Sequence, residues 1–227
     1  VTNAEPGLAR NIRHEIEANG LGLAAYPVGT LPNEALDDHI MGVVAMAWLT
    51  HYPVDVWGRD WLSAGCIDMR FQRHLQAGRR LETMAEVRAE AEADAATITL
   101  SVRDAAGIDY VSGSASLAVP STDPRESVDS LGVKEPTSDA VSRPAAPTPE
   151  ALAGLIFDPL HFRFDAARDL AFVAGLPDAD FWRSERTAHP AWLGSAANAI
   201  TRNNIDFGSG GRWLHAGLRV DLHAPVE

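Results

Sequence analysis

Cysteine occurs once in the 227 residues, at Cys66. That excludes an internal disulfide and a cysteine-rich metal site, and it makes a cytoplasmic address the default expectation. Lysine also occurs once, at Lys134, so 18 of the 19 basic residues are arginine, a bias read first as a coding preference. The 31 acidic residues outweigh them and leave a net charge of −12, which argues against a nucleic-acid-binding surface. No run of 18 uninterrupted apolar residues is present, so no membrane span is expected. The opening VTNAEPGLARNIRHEIEANG lacks the basic-then-apolar layout of a signal peptide. No H-E-x-x-H or H-x-x-x-H spacing occurs, and His51 and His74 have no partner pattern for a metal, so neither metal nor cofactor is expected. A G-x-S-x-G nucleophile elbow is missing too. The stretch GSGG (208–211) follows a helical pattern and precedes an extended one, the reverse of the order a phosphate loop needs. Cys66 opens an extended stretch and reads as a buried, unreactive thiol.

What is present is a repeat. Residues 61–65 read WLSAG and residues 213–217 read WLHAG, so Gly65 and Gly217 lie 152 positions apart (217 − 65). The same offset carries Gly42 onto Gly194, Ala45 onto Ala197 and Ala47 onto Ala199. The step from helix glycine to strand glycine is 23 residues in both copies, and a fixed offset of this kind marks a duplicated unit. In EALDDHIMGVVAMAWLT (34–50), Leu36, Ile40, Val43 or Val44, and Ala47 fall at helical spacing. Glycine in mid-helix costs roughly 1 kcal/mol against alanine, so Gly42 and Gly194 imply close packing against the helix. PAWLGSAANAITRNN (190–204) is the second such helix, with proline at its start.

After the first helix come four stretches of strand character. CIDMRFQRHL (66–75) alternates moderately, and RLETMAEVRAEAEA (80–93) alternates strictly from Leu81 to Glu92, which outweighs its helix-favouring alanine and glutamate. ATITLSVRDAAG (96–107) and IDYVSGSASLAVP (108–120) flank a turn at Asp104-Ala105-Ala106-Gly107. Residues 121–150 are rich in Ser, Pro, Asp and Thr and read as a linker. Beyond it, LIFDPLHFRFDA (155–166) reads as a strand and ARDLAFVAGL (167–176) as a helix. The expected organisation is an N-terminal extension (1–20), a first unit (21–120), the linker (121–150) and a second unit (151–227).

A long helix followed by an antiparallel meander, used twice, resembles the hot-dog fold in its double form, an α+β architecture. RFQRHLQAGRRLETMAEV (70–87) resembles that family's second strand, turn and third strand; GIDYVSGSASLAV (107–119) resembles its closing hairpin. TAHPAWLGSAANAITRNN with GGRWLHAGLRVDLHAPV (187–226) resembles the helix and following strand of MaoC-like acyl dehydratases and the related thioesterase superfamily. Leu75 of the first copy corresponds to Glu227, and the first copy runs on through further strands, so the second is expected to be truncated. A homodimer or pseudo-dimer is the expected assembly.

The resemblance implies an acyl thioester of coenzyme A or acyl-carrier protein as substrate, with no nucleic-acid or membrane partner. A helix N-terminus can polarise the thioester carbonyl, and a nearby imidazole or carboxylate can move a proton. The (R)-specific hydratases carry D-x-N-P-x-H before the central helix; neither copy here keeps it. The first copy has Asp37-Asp38-His39, with Glu34 five residues before His39, and the second has His189-Pro190, with Asp178 and Asp180 upstream. His189 becomes the candidate for proton transfer, oriented by Asp178 or Asp180, and also a candidate for simple helix capping. Asp38 and His39 are the candidates at the first helix, where Asp38 could activate water or cap. Ala191 and Trp192 at the second helix start would polarise the carbonyl; Asn198, Trp213 and His215 are candidate substrate contacts. Three activities stay open: hydratase or dehydratase, thioesterase, and non-catalytic acyl binding.

Overall fold

The computed structural model describes residues 10–17, 39–88, 97–117, 148, 166–205, 216–222 and 225. In chain order the first unit contributes β1 (Arg10–Glu17), β2 (His39–Ile40), α1 (Gly42–Trp57), α2 (Arg59–Ala64), β3 (Gly65–Phe71), β4 (Leu75–Gln76), β5 (Arg80–Arg88), β6 (Thr97–Arg103) and β7 (Asp109–Leu117). The second contributes α3 (Ala166–Phe172), α4 (Ala179–Glu185), α5 (Pro190–Asn204) and β8 (Gly217–Asp221).

Six strands form one antiparallel sheet in the order β1-β5-β6-β7-β3-β8, and β2 pairs with β4 in a separate two-stranded ribbon. Alternation sets the faces. Leu81, Thr83 and Ala85 of β5 are buried, as are Ile98, Leu100 and Val102 of β6 and Ile67 and Met69 of β3. Their inward side chains meet α1, which packs across β5, β6 and β7. Every residue of α1 from Val43 to Val54 is buried, as expected of a helix enclosed on all sides rather than amphipathic. Tyr52 ties helix to sheet: its hydroxyl donates to the Thr83 carbonyl at 2.8 Å and lies 2.9 Å from Thr83 Oγ1.

Turns at Gly58, Gly78 and Gly107 use the backbone freedom of glycine. Gly107 has φ 77° and its N–H donates to the Asp104 carbonyl at 2.9 Å, closing the anticipated β6–β7 turn, while Gly58, at φ 56°, separates α1 from α2.

Several expectations are corrected. The first helix starts at Gly42, not Glu34, because residues 39–40 are drawn into a strand against Leu75–Gln76. Gly42 is therefore the first residue of the helix. Arg10–Glu17, expected in an N-terminal extension, is an edge strand on β5. Trp61-Leu62-Ser63-Ala64 ends a helix, and only Gly65 enters the strand. A Cβ on Gly65 would fall 2.2 Å from the Trp61 ring and 2.3 Å from its carbonyl oxygen, which explains the W-x-x-x-G spacing. The β5 expectation holds over 80–88, and residues 89–93 lie outside the described part, as do 155–165 and the linker apart from Thr148. Cys66 is half-buried; burial, followed by its hydrogen bond to Asp221, pushes its thiol up to about 11.

The seam between the units is β3 against β8. Cys66 opposes Asp221, Ile67 opposes Val220, Asp68 opposes Arg219 and Met69 opposes Leu218. Subtracting the repeat offset turns this register into itself, so the two strands pair around a local dyad between Ile67 and Asp68. The central helices also meet, since a Cβ on Gly194 would lie 3.0 Å from Val43 Cγ1 and 3.1 Å from Leu218 Cδ2.

Candidate functional site

Asp178, Thr187 and His189, buried polar side chains of the second unit, lie ahead of α5. Asp178 stands just before α4 and is 7% exposed. Its carboxylate does not cap that helix; it reaches one turn forward, where Trp182 Nε1 donates to Oδ2 at 2.7 Å. Oδ1 is buried with no hydrogen-bond partner among the described residues. Arg186, the one non-glycine residue with positive φ among those described, ends α4 in the left-handed region at φ 53°. The chain then turns through the buried Thr187 and Ala188 into His189. The Trp182 ring packs against the His189 imidazole with centroids 4.5 Å apart. An Arg59–Glu185 ion pair fastens α4 to α2.

Protonation states follow from these contacts. His189 is the N-cap of α5, and its Nδ1 accepts from the Ala191 N–H at 3.0 Å. A nitrogen that accepts cannot carry the proton, so the neutral imidazole bears it on Nε2. Complete burial pushes its pKa down to about 3, which keeps it neutral at physiological pH. Asp178 moves oppositely. Burial raises its carboxyl to about 6, the Trp182 hydrogen bond lowers it in part, and the charge of Asp55 adds to the rise. His51 on α1 has the other tautomer: its Nδ1 lies 2.6 Å from the Trp48 carbonyl, to which it must donate.

Of the candidate residues, the structure brings Asp178, His189, Ala191 and Trp192 to one helix head. The carboxylate reaches His189 through the Trp182 ring rather than by an imidazole hydrogen bond at Nδ1. Asp180 is excluded from the cluster: its side chain is 96% exposed and pairs with Arg183. The α5 start is also closed as a carbonyl-polarising site. Pro190 has no N–H, Ala191 gives its own to His189, and Trp192 donates to the His189 carbonyl at 2.8 Å. Asn198 sits half-buried two turns further along. His39 contributes its backbone to β2 opposite Gln76; Asp38, Trp213 and His215 lie outside the described residues.

The first helix start differs. Met41 is its N-cap without a side-chain bond, and Val44 and Ala45 donate back to the Met41 carbonyl. Phe71 covers it: a Cβ on Gly42 would come within 2.7 Å of that ring. Sequence reasoning missed Trp182 as the bridge. The signal was there as an Asp-x-x-x-Trp spacing, which puts both side chains on one helical face. Among the described residues no group of three or more His, Cys, Asp or Glu side chains could hold a metal ion, and no helix is long and apolar enough to cross a membrane.

No protein-family model matches the chain, and no curated protein matches it. Solved structures do. The full-length peroxisomal multifunctional enzyme type 2 of Drosophila melanogaster superposes with a TM-score of 0.54 at 14% identity, over 96% of this chain and 41% of that one. HtdX of Mycobacterium tuberculosis gives 0.49 at 9% identity over 96% and 84%, and the (R)-hydratase of A. caviae involved in PHA biosynthesis gives 0.35 at 19% over 53% and 100%. The chain has the hot-dog fold, and the Drosophila match runs through both units. Its structural neighbours include hydratases, dehydratases and thioesterases of that fold.

Proposed function

We propose that this chain acts on acyl thioesters of coenzyme A or an acyl-carrier protein, hydrating or dehydrating the acyl chain. The observation that supports this most is Asp178, a buried carboxyl held near pKa 6 inside a double hot-dog fold. Adding or removing water next to a thioester needs a group that both holds and releases a proton near neutral pH, and a carboxyl tuned upward by burial meets that need. His189 has a different part in this scheme. It stands as the neutral Nε2–H tautomer against the Trp182 ring, and Asp178 carries the proton that the absent D-x-N-P-x-H motif would otherwise handle. The shared offset and the dyad register of β3 on β8 support reading the two units as a duplication that forms a pseudo-dimer within one chain.

One observation favours a second reading, a non-catalytic acyl-binding protein: the first N–H groups of α5 are satisfied within the helix and leave no donor there for an oxyanion. Incubation with 2-enoyl, 3-hydroxyacyl and saturated acyl-CoA separates the readings. Hydration chemistry changes the enoyl absorbance without releasing thiol. Thiol release instead establishes the thioesterase alternative, and binding with neither change establishes the non-catalytic one.

A further inference from the structure

The cluster at the head of α5 contains a residue that no catalytic scheme for the chain requires and that its geometry nevertheless makes central. Trp182 is wholly buried and uses two different parts of one indole on two different ionisable groups. Its Nε1–H donates to Asp178 Oδ2 at 2.7 Å, and its ring lies against the His189 imidazole at 4.5 Å, tilted by 54°. His189 in turn accepts from the Ala191 N–H at Nδ1. Other charged groups bear on the cluster from outside it. Asp55 on α1 acts on Asp178 through its charge, and the Arg59–Glu185 ion pair secures α4 from α2.

We propose that Trp182 is a positioning residue that couples Asp178 to His189, so that the charge on the carboxyl fixes where the indole, and with it the imidazole, stands at the head of α5. The physical reason is that the Asp178–Trp182 bond changes strength with protonation. A carboxylate accepts a charge-assisted hydrogen bond roughly twice as strong as a neutral one, so protonation of Asp178 loosens the grip on Nε1–H. An indole packed against an imidazole at this distance cannot shift in a dense interior without moving its neighbour. The donor also favours the ionised carboxyl, so its removal raises the proton affinity of Asp178.

The inference rests on the thioester reading only for its consequence in turnover; the coupling itself is readable without substrate. In the intact protein the Trp182 indole N–H proton resonance is followed against pH. It should move with a midpoint near 6, and the His189 ring resonances should move with the same midpoint although His189 itself stays neutral. In Asp178→Asn both movements should vanish. In Trp182→Phe, which keeps an aromatic ring but loses the donor, the Asp178 midpoint should rise by about one unit and the His189 resonances should stop following it. An indole signal flat through this pH range in the wild-type protein, or His189 resonances that follow Asp178 as well in Trp182→Phe as in the wild type, would overturn the proposal. Should Trp182→Phe not fold, Asp178→Asn decides: resonances that still titrate there overturn the coupling. In turnover, Trp182→Phe should move the pH profile of kcat upward with KM little changed, a split that mere loss of packing does not produce. Coupled resonances in a protein that leaves enoyl-CoA and 3-hydroxyacyl-CoA untouched would refute the thioester reading and leave the coupling standing.

Discussion

The starts of the two long helices, α1 and α5, are built differently. At the first helix start, Gly42 follows a Met41 that caps nothing with its side chain, and Phe71 covers the glycine. At the second, His189 caps its own helix, Pro190 follows, and a carboxylate and an indole stand behind them. The helix α1 is core, with an unbroken buried run from Val43 to Val54. Buried titratable groups stand at both places, His51 and Tyr52 within α1 and Asp178 and His189 ahead of α5.

The strand glycines give the largest expected contrast. At Gly65 a Cβ would collide with both the ring and the carbonyl of Trp61, and the carbonyl cannot move aside. Gly65→Ala should therefore lose about 3 kcal/mol in denaturant unfolding. At Gly217 the nearest atom is the mobile end of Arg70, 2.7 Å away, with the Met69 carbonyl oxygen at 2.9 Å. Gly217→Ala should lose only about 1 kcal/mol. Equal losses would mean that the two strand starts are held alike.

A comparable effect is expected at Asp178. Its folded pKa lies above the ordinary carboxylate value, so the folded state binds more protons than the unfolded one between about pH 4 and 6. Stability is thus lost as pH rises through that window and stays low above it. Asp178→Asn removes this loss and should stabilise the protein by about 2–3 kcal/mol at pH 8, with the gain disappearing near pH 4. No gain at pH 8 would mean that burial does not raise the proton affinity of the carboxyl.

His189 has the opposite sign. Its folded pKa is depressed to about 3, so the unfolded state binds the extra proton and stability falls as pH drops from about 6.5 toward 3. Between pH 4 and 6 the two groups oppose each other, and the wild-type stability should be nearly flat there. His189→Asn keeps a capping side chain and removes the titration. Its stability should therefore fall with rising pH across the same window, which chemical denaturation at several pH values would show.

The smallest effect concerns the cap alone. His189→Ala at pH 8, where no titration interferes, should cost about 1 kcal/mol for the lost bond to the Ala191 N–H, measured against His189→Asn as the reference.

The parts of the fold legible in the sequence are those where one physical demand dominates. β5 reads clearly because Leu81, Thr83 and Ala85 face the core while Glu82, Met84 and Glu86 are only half-buried. The turn at Asp104–Gly107 reads clearly because its glycine needs a positive φ. The start of α1 was hidden because Leu36 and Ile40 continue its helical spacing, while Ile40 in fact pairs with Leu75. β1 was hidden because Arg10, Arg13, His14, Glu15 and Glu17 make an edge strand look like a solvated tail. At the candidate site, His189-Pro190 read correctly as a helix start. The exposure of Asp180 and the burial of Asp178, two residues apart, depend on how α4 docks, which no local pattern encodes.

The central claim is that the carboxyl beneath α5 moves the proton in thioester chemistry, and the most direct measurement is the rate at which wild type and Asp178→Asn consume a 2-enoyl-CoA. The account predicts a hydration signal in the wild type, slowed at least about a hundredfold in the asparagine variant, whose fold is intact. An asparagine variant as fast as the wild type, or a wild-type protein that leaves the enoyl thioester unchanged, would contradict it.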